Sequence, residues 1–305
     1  RANALSGWLT LSFKRKTVHL FDQMKEHKRL IIGIDIGAST TKAAALEELH
    51  IAKFISVKTT EAMTSASTAL ERLLTLMGKS PRDVTIIAVS GGGARSAEGT
   101  LLGIPVVKVD EIKAMGVGGL MLSGKKQALV VSMGTGTALV AAYKEVGRVV
   151  HIGGTGIGGG TLQGLSMRLL HTHDFDVLEK MAVTGDAKKV DLTVADITGG
   201  PIGIVPGEAT ASNFGRLSTD ANENDVATAI FNMISQVIGV IVAFAAKAYG
   251  LEKDVVLVGR LARNKLITKP IYDVAEMFHI GLCIPENGEY CVAIGAAKST
   301  FAGPP

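Results

Sequence analysis

Two short stretches set hydroxyls and bare backbone directly after an apolar run. Gly37-Ala38-Ser39-Thr40-Thr41-Lys42 follows LIIGIDI, and Gly134-Thr135-Gly136-Thr137 follows ALVVSM. A tight Gly/Ser/Thr turn presents N–H groups and hydroxyls together, and concave arrays of such donors hold phosphate oxygens. Two such turns facing each other would clamp a polyphosphate from both sides. Asp35, with Ile36, leads into the first turn, where a carboxylate suits a magnesium ion among phosphates. Lys42, at the far side, would neutralise phosphate charge. A glycine hairpin needs no ligand to account for it, and either turn alone means little. The pair, with a third glycine-rich segment, favours phosphate.

That third segment is HIGGTGIGGGTLQGL, residues 151–165, with seven glycines in fifteen positions. Such density is entropically costly and suits a site where a ligand lies close to bare backbone. Gly154-x-Gly156-x-x-Gly159 resembles a dinucleotide fingerprint, but that reading requires a parallel strand ending in an acid about 20 residues on. The chain beyond the glycines reads as helix, with Glu179 inside it, so a dehydrogenase is disfavoured. A helix N-terminus with bare amides binds phosphate or flanks a nucleotide, and the amides of Gly136 and Gly159 are expected to face it.

The elements that must position these turns are set by periodicity. Residues 30–36, 84–90, 106–110, 128–133 and 254–259 read as buried strands, and KAAALEELHIAKFISV and ALVAAYKE as returning strands. Helices are expected at 64–78, ending on Gly78, at 111–122, over TLQGLSMRLL, at 223–249 and over the closing YCVAIGAAKSTF. IIGIDIGASTTKAAAL and ALVVSMGTGTALVAAY share one outline of strand, turn and strand. That likeness predicts a duplicated α/β fold with a cleft between two lobes, 30–126 and 127–305.

Composition sets bounds. The 305 residues are 47% apolar and 20% charged, a globular balance. Residues 1–29 carry a net +5, the remainder −1, so the basic pI belongs to the leader and a nucleic-acid-binding body is excluded. The leader reads as an appendage outside the fold. The apolar run at 237–246 is too short to span a bilayer. Cys283 and Cys291 lie eight apart with no second pair, which indicates neither a disulfide framework nor a zinc site and fits a reducing cytosol.

IDIGASTTK resembles the first phosphate motif of the actin-like ATPase and sugar-kinase superfamily (ribonuclease H-like fold), SMGTGT its second, and VVLVGRLARN its adenosine motif. With SGGGA (90–94), KVDEIKA (108–114), the glycine segment, ASNFG (211–215) and ENG…AIGA (286–296), the ordered set resembles type II pantothenate kinase across residues 30–302. The resemblance implies two actin-like lobes, ATP with Mg2+ in the cleft, phosphorylation of pantothenate, and a cytoplasmic homodimer. Asp35 to Lys42 and Thr135 would then surround the phosphates. Gly159, Gly160, Thr161, Leu162 and Gln163 would line the nucleotide, Phe175 would lie near adenine, and Arg260 beside the nucleotide.

Glu111 matches the family's catalytic base. A carboxylate within reach of a hydroxyl can accept its proton as the bond to phosphorus forms, although an acid opening a helix also gains from the helix dipole. Asp110 is the neighbouring alternative. Two positions depart from the family: His151 stands where an arginine contacts the substrate, and Val274 where a tyrosine from the partner subunit closes over pantothenate. Arginine grips a carboxylate bidentately and is always charged; histidine does neither reliably. His171-x-His173 beside Asp174 reads as a basic helix end rather than a metal site. The activator ATPases of 2-hydroxyacyl-CoA dehydratases share the first motif's style but carry cluster-binding cysteines, and neither cysteine here has that context.

Overall fold

The computed structural model describes residues 29–217 and 219–301. The basic leader, apart from Arg29, lies outside the described residues. The first sheet holds β1 (Leu30–Ile36), β2 (Thr40–Glu47), β3 (His50–Lys58), β4 (Val84–Ser90), β5 (Thr100–Leu101) and β6 (Ile104–Lys108), in the order β3-β2-β1-β4-β6-β5. The second holds β7 (Gln127–Met133), β8 (Thr137–Tyr143), β9 (Arg148–Thr155), β12 (Val255–Val258) and β13 (Leu282–Cys283), in the order β13-β12-β7-β8-β9. A short pair, β10 (Leu192–Thr193) and β11 (Thr210–Ser212), stands apart. In each large sheet three strands form an antiparallel meander whose first member pairs in parallel with a strand beyond it. The duplication expected from the hairpins is therefore present in strand order.

The helices are α1 (Ala62–Met77), α2 (Glu111–Ser123), α3 (Gly159–Leu169), α4 (Phe175–Thr184), α5 (Val194–Thr198), α6 (Glu223–Tyr249), α7 (Lys265–Met277) and α8 (Cys291–Thr300). Local chemistry fixes their ends. Glu61 accepts hydrogen bonds from the Met63 and Thr64 amides to start α1, and Gly78 stops it in the left-handed region. Asn222 and Asp225 form a capping box at the head of α6. By length and composition α6 could cross a membrane, yet 61% of its most apolar stretch is buried inside the protein. There Ile230, Phe231, Ile234 and Ile238 form the core of the second lobe with Leu129, Val131 and Leu139.

Each half lends a helix to the other half's sheet. α2 packs on β7, β8 and β9, while α8, expected in the second lobe, lies on β1, β2 and β4. Ile31, Ala44 and Leu46 meet Ala293, Ile294 and Ala297 there, so apolar burial draws the closing helix back to the first sheet. α2 and α8 cross at backbone contact: a Cβ on Gly118 would lie 2.0 Å from the Cys291 carbonyl oxygen, and one on Gly295 1.8 Å from that of Ala114.

The glycine segment differs from expectation. β9 continues through Gly153, Gly154 and Thr155, so His151 sits within a strand, opposite Val140, and not at the head of a loop. α3 begins at Gly159, two residues before the expected start at Thr161. The loop proper is only Gly156 to Gly158.

Candidate functional site

The two hairpin turns face one cavity of ≈ 550 Å³ between the lobes. From the first hairpin it takes Asp35, Gly37, Ala38, Ser39, Thr40 and Lys42, and from the second Gly134, Thr135 and Gly136. The first turn is closed by the Gly37 amide donating to the Thr40 carbonyl at 3.2 Å, the second by Gly134 donating to Gly136 at 2.9 Å. Ile36 and Thr41 belong to the turn but not to the cavity. Ile36 is in the first-lobe core, and the buried Thr41 hydroxyl shares a 2.9 Å hydrogen bond with Thr59. Alternation along a strand accounts for both, since their side chains take the face opposite Asp35 and Lys42.

Against the glycine segment lies the second turn itself. Gly159 donates to the Gly134 carbonyl and Gly160 to that of Thr135, each at 2.8 Å. The first two amides of α3 are thus satisfied by protein, which corrects the expectation that Gly159 turns its amide to the nucleotide. A Cβ on Gly158 would lie 2.7 Å from the Thr135 carbonyl oxygen and 2.8 Å from the Gly136 Cα, so backbone packs on backbone. Thr161 bonds the Gly156 carbonyl at 2.8 Å instead of lining the site, and Leu162 is wholly buried in the core. Gly159, Gly160 and Gln163 do line the cavity.

Glu111 and Asp110, left as alternatives by sequence, have separate places. Asp110 is the N-cap of α2, its carboxylate accepting from the Lys113 amide at 2.9 Å. Glu111 lines the cavity. Phe175, first residue of α4 behind its Asp174 cap, meets Phe231 edge-on at 6.0 Å, and the Arg260 guanidinium lies 5.7 Å from its ring centre. Both line the cavity, and an aromatic face beside a guanidinium suits a flat heterocycle.

Asp35 is buried, with Lys42 Nζ 3.8 Å from its carboxylate. Burial pushes the Asp35 carboxyl up to about 6; Lys42 opposes that shift and Glu111 adds to it. Among the described residues no three His, Cys, Asp or Glu side chains gather as a metal cluster, and His171 and His173 form no such site. A cation here would be held by Asp35 and by phosphate oxygens of its ligand, the usual arrangement for Mg2+.

Sequence reasoning did not single out Glu289 and Cys291 as lining the cavity. Glu289 is tied to Arg263 at 2.5 Å, and burial pushes the Cys291 thiol up to about 12. Their signal was the ENG…AIGA motif, whose position beside the first hairpin depends on the return of α8. His151 is exposed and does not line the cavity. Val274 is buried against Gly239 of α6; the exposed tyrosine of α7 is Tyr272. ASNFG lies at a different place: the Phe214 amide and the Asn232 side chain each donate at 2.8 Å to the buried Asp191, which anchors β11 to α6.

Comparison with known proteins adds three kinds of likeness. The family model described as Fumble matches residues 125–281. A type II pantothenate kinase of Oceanobacillus iheyensis is 31% identical over 279 residues, covering 88% of this chain and 99% of the relative. One from Bacillus cereus (strain G9842) is 26% identical, covering 87% and 96%. Among solved structures, the activator of the 2-hydroxyisocaproyl-CoA dehydratase from Clostridium difficile with bound ADPNP superposes with a TM-score of 0.65 at 18% identity, over 90% of this chain and 94% of that one. The ROK hexokinase from Thermus thermophilus gives 0.56 at 15% identity, over 90% and 98%. These structures share the actin-like, two-lobed fold.

Proposed function

Because this chain belongs to the type II pantothenate kinase family, we propose that it transfers the γ-phosphoryl group of ATP to the primary hydroxyl of pantothenate, giving 4′-phosphopantothenate and ADP, the first step of coenzyme A synthesis. The observation that carries the reading is the convergence of both hairpin turns and Glu111 on one cavity. Phosphoryl transfer demands little covalent chemistry from protein, so positioning and charge do most of the work. Lys42 and the turn donors hold the polyphosphate, and Phe175 with Arg260 holds the base. Glu111 accepts the proton of the acceptor hydroxyl as its oxygen bonds to phosphorus and the bond to ADP breaks. Bound Mg2+, held at Asp35, supplies neutralisation of the phosphate charge. The enzyme works as a homodimer in the cytoplasm, on a small molecule and without nucleic acid or membrane.

A second reading, a kinase of this fold acting on another hydroxyl compound, is favoured by one observation. The cations lining the cavity are Lys42 and Arg260, and His151, where the family has its arginine, is outside it. The test is phosphate transfer from Mg-ATP to pantothenate, pantetheine and a panel of sugars. Transfer to pantothenate supports the first reading, and transfer to a sugar alone the second. ATP hydrolysis indifferent to every acceptor would refute both in favour of an activator or sensor.

A further inference from the structure

Three carboxylates line the cavity, and phosphoryl transfer as described uses two of them, Asp35 and Glu111. The third is Glu289. Its neighbours in sequence are held from opposite sides of the cleft. The Gly288 carbonyl accepts from the Gly259 amide at 3.1 Å, and the Tyr290 ring stacks on Phe54 of β3 with centres 4.5 Å apart. The Glu289 side chain is 19% exposed. Its Oε1 accepts from Arg263, and among the described residues no hydrogen bond reaches Oε2. Arg263 and Arg260 are the last and first residues of one 3-10 turn. Side chains three apart on such a turn eclipse each other and leave it on the same side. One guanidinium lies over Phe175, and the other fixes Glu289. Cys291, two residues beyond, also lines the cavity, close enough to Asp35 and Lys42 for their charges to act on its thiol. Glu289 thus stands between the turn that holds the base and the groups that hold the phosphates.

We propose that Glu289 is the ribose contact of the nucleotide site, its Oε2 accepting a hydrogen bond from the 2′- or 3′-hydroxyl. This rests on the reading that the cavity binds Mg-ATP. An ionised carboxylate only accepts hydrogen bonds, so its partner must be a donor. Phosphate oxygens are acceptors of the same charge and are repelled. The donors of an adenine nucleotide are the sugar hydroxyls and the exocyclic amine, and the sugar is the part that joins base to phosphates. Dinucleotide-binding folds use an acid on a ribose hydroxyl in the same way. Arg263 offsets the charge of Glu289 and fixes its rotamer, which leaves one oxygen preorganised for the ligand.

The test is calorimetric binding of Mg-ATP, Mg-2′-deoxy-ATP and Mg-3′-deoxy-ATP to the full chain, for wild type, Glu289→Ala and Glu289→Gln. Wild type is expected to bind ATP about tenfold more tightly than the analogue that lacks the bonded hydroxyl, the scale of a hydrogen bond to a charged group. Glu289→Ala should bind all three alike, at the level of the weaker analogue. Glu289→Gln, whose amide oxygen still accepts, keeps part of the preference and guards against a folding defect in the alanine variant. Equal affinities in wild type overturn the proposal. So does an equal loss for all three nucleotides in Glu289→Ala, which would make Glu289 a support for the Arg260 turn. A raised KM for the acceptor with the nucleotide preference intact also overturns it and puts Glu289 at the acceptor. Wild-type protein that binds none of the three overturns the nucleotide reading itself.

Discussion

The amide of Gly159 donates to the carbonyl of Gly134 at 2.8 Å, so the glycine segment holds the second hairpin turn from behind. At Gly154, Gly158, Gly159 and Gly160 carbonyl oxygens of the neighbouring strand and turn leave little or no room for a Cβ. Gly158→Ala is expected to displace the turn, lowering both the melting temperature and ATP affinity, since its Cβ would meet backbone at 2.7–2.9 Å. Gly156→Ala, with nothing within 4 Å of its Cβ, should leave both unchanged. Thermal unfolding and nucleotide titration of the two variants check this, and equal behaviour would refute it.

The paired hairpins were legible in the sequence because apolar run, Gly/Ser/Thr turn and apolar run is a local pattern, repeated. Whether Gly159 meets a ligand or a neighbouring turn depends on how β9 and α3 fold back over residues 134–136, which no local pattern encodes. Glu289 and Cys291 reach the cavity only because α8 crosses to the first sheet. α7 is a helix that local pattern does not predict: Ile267, Ile271, Val274 and Ala275 have helical spacing and are buried, but Pro270 in its midst argues against a helix. The distinction between Asp110 and Glu111 likewise needed the cap geometry.

Asp35 lowers the stability of the metal-free protein at neutral pH. Its carboxyl titrates near 3.8 when unfolded and at about 6 when folded, because burial disfavours the charged form. Between those values the native state holds the extra proton, so stability falls as pH rises through the window. The shift corresponds to about 3 kcal/mol once the group is ionised in both states. Asp35→Asn should match wild type near pH 4 and melt higher by roughly 5 °C near pH 7.5, measured without metal or nucleotide. A gap that does not change with pH would refute the assignment of this cost to Asp35.

Asp110 and Glu111 separate by experiment as they do in geometry. Glu111→Gln should slow phosphoryl transfer about 100-fold while ATP still binds, the scale of a positioned base. Asp110→Asn should transfer at a near-normal rate, because asparagine is as good an N-cap; Asp110→Ala should cost about 1 kcal/mol of stability. Single-turnover rates with urea unfolding distinguish the two. A slow Asp110→Asn beside a normal Glu111→Gln would make Asp110 the base.

His151 lies outside the cavity, exposed on β9. Val149, two residues before it on the same face of β9, packs against the position of Gly116 on α2. β9 runs from there toward the cavity-lining Thr155, and α2 runs back to the cavity-lining Glu111. If pantothenate, with its hydroxyl at Glu111, reaches out of the cavity as far as β9, its carboxylate meets His151. Arginine there would supply a permanent charge and a bidentate grip, which histidine does not. His151→Arg should therefore lower KM for pantothenate about five- to tenfold and leave kcat and KM for ATP unchanged, the scale of one charge-assisted hydrogen bond. Pantetheine, which has no carboxylate, should show no change. An equal shift for both acceptors, or none for either, would mean that the acceptor carboxylate does not reach His151.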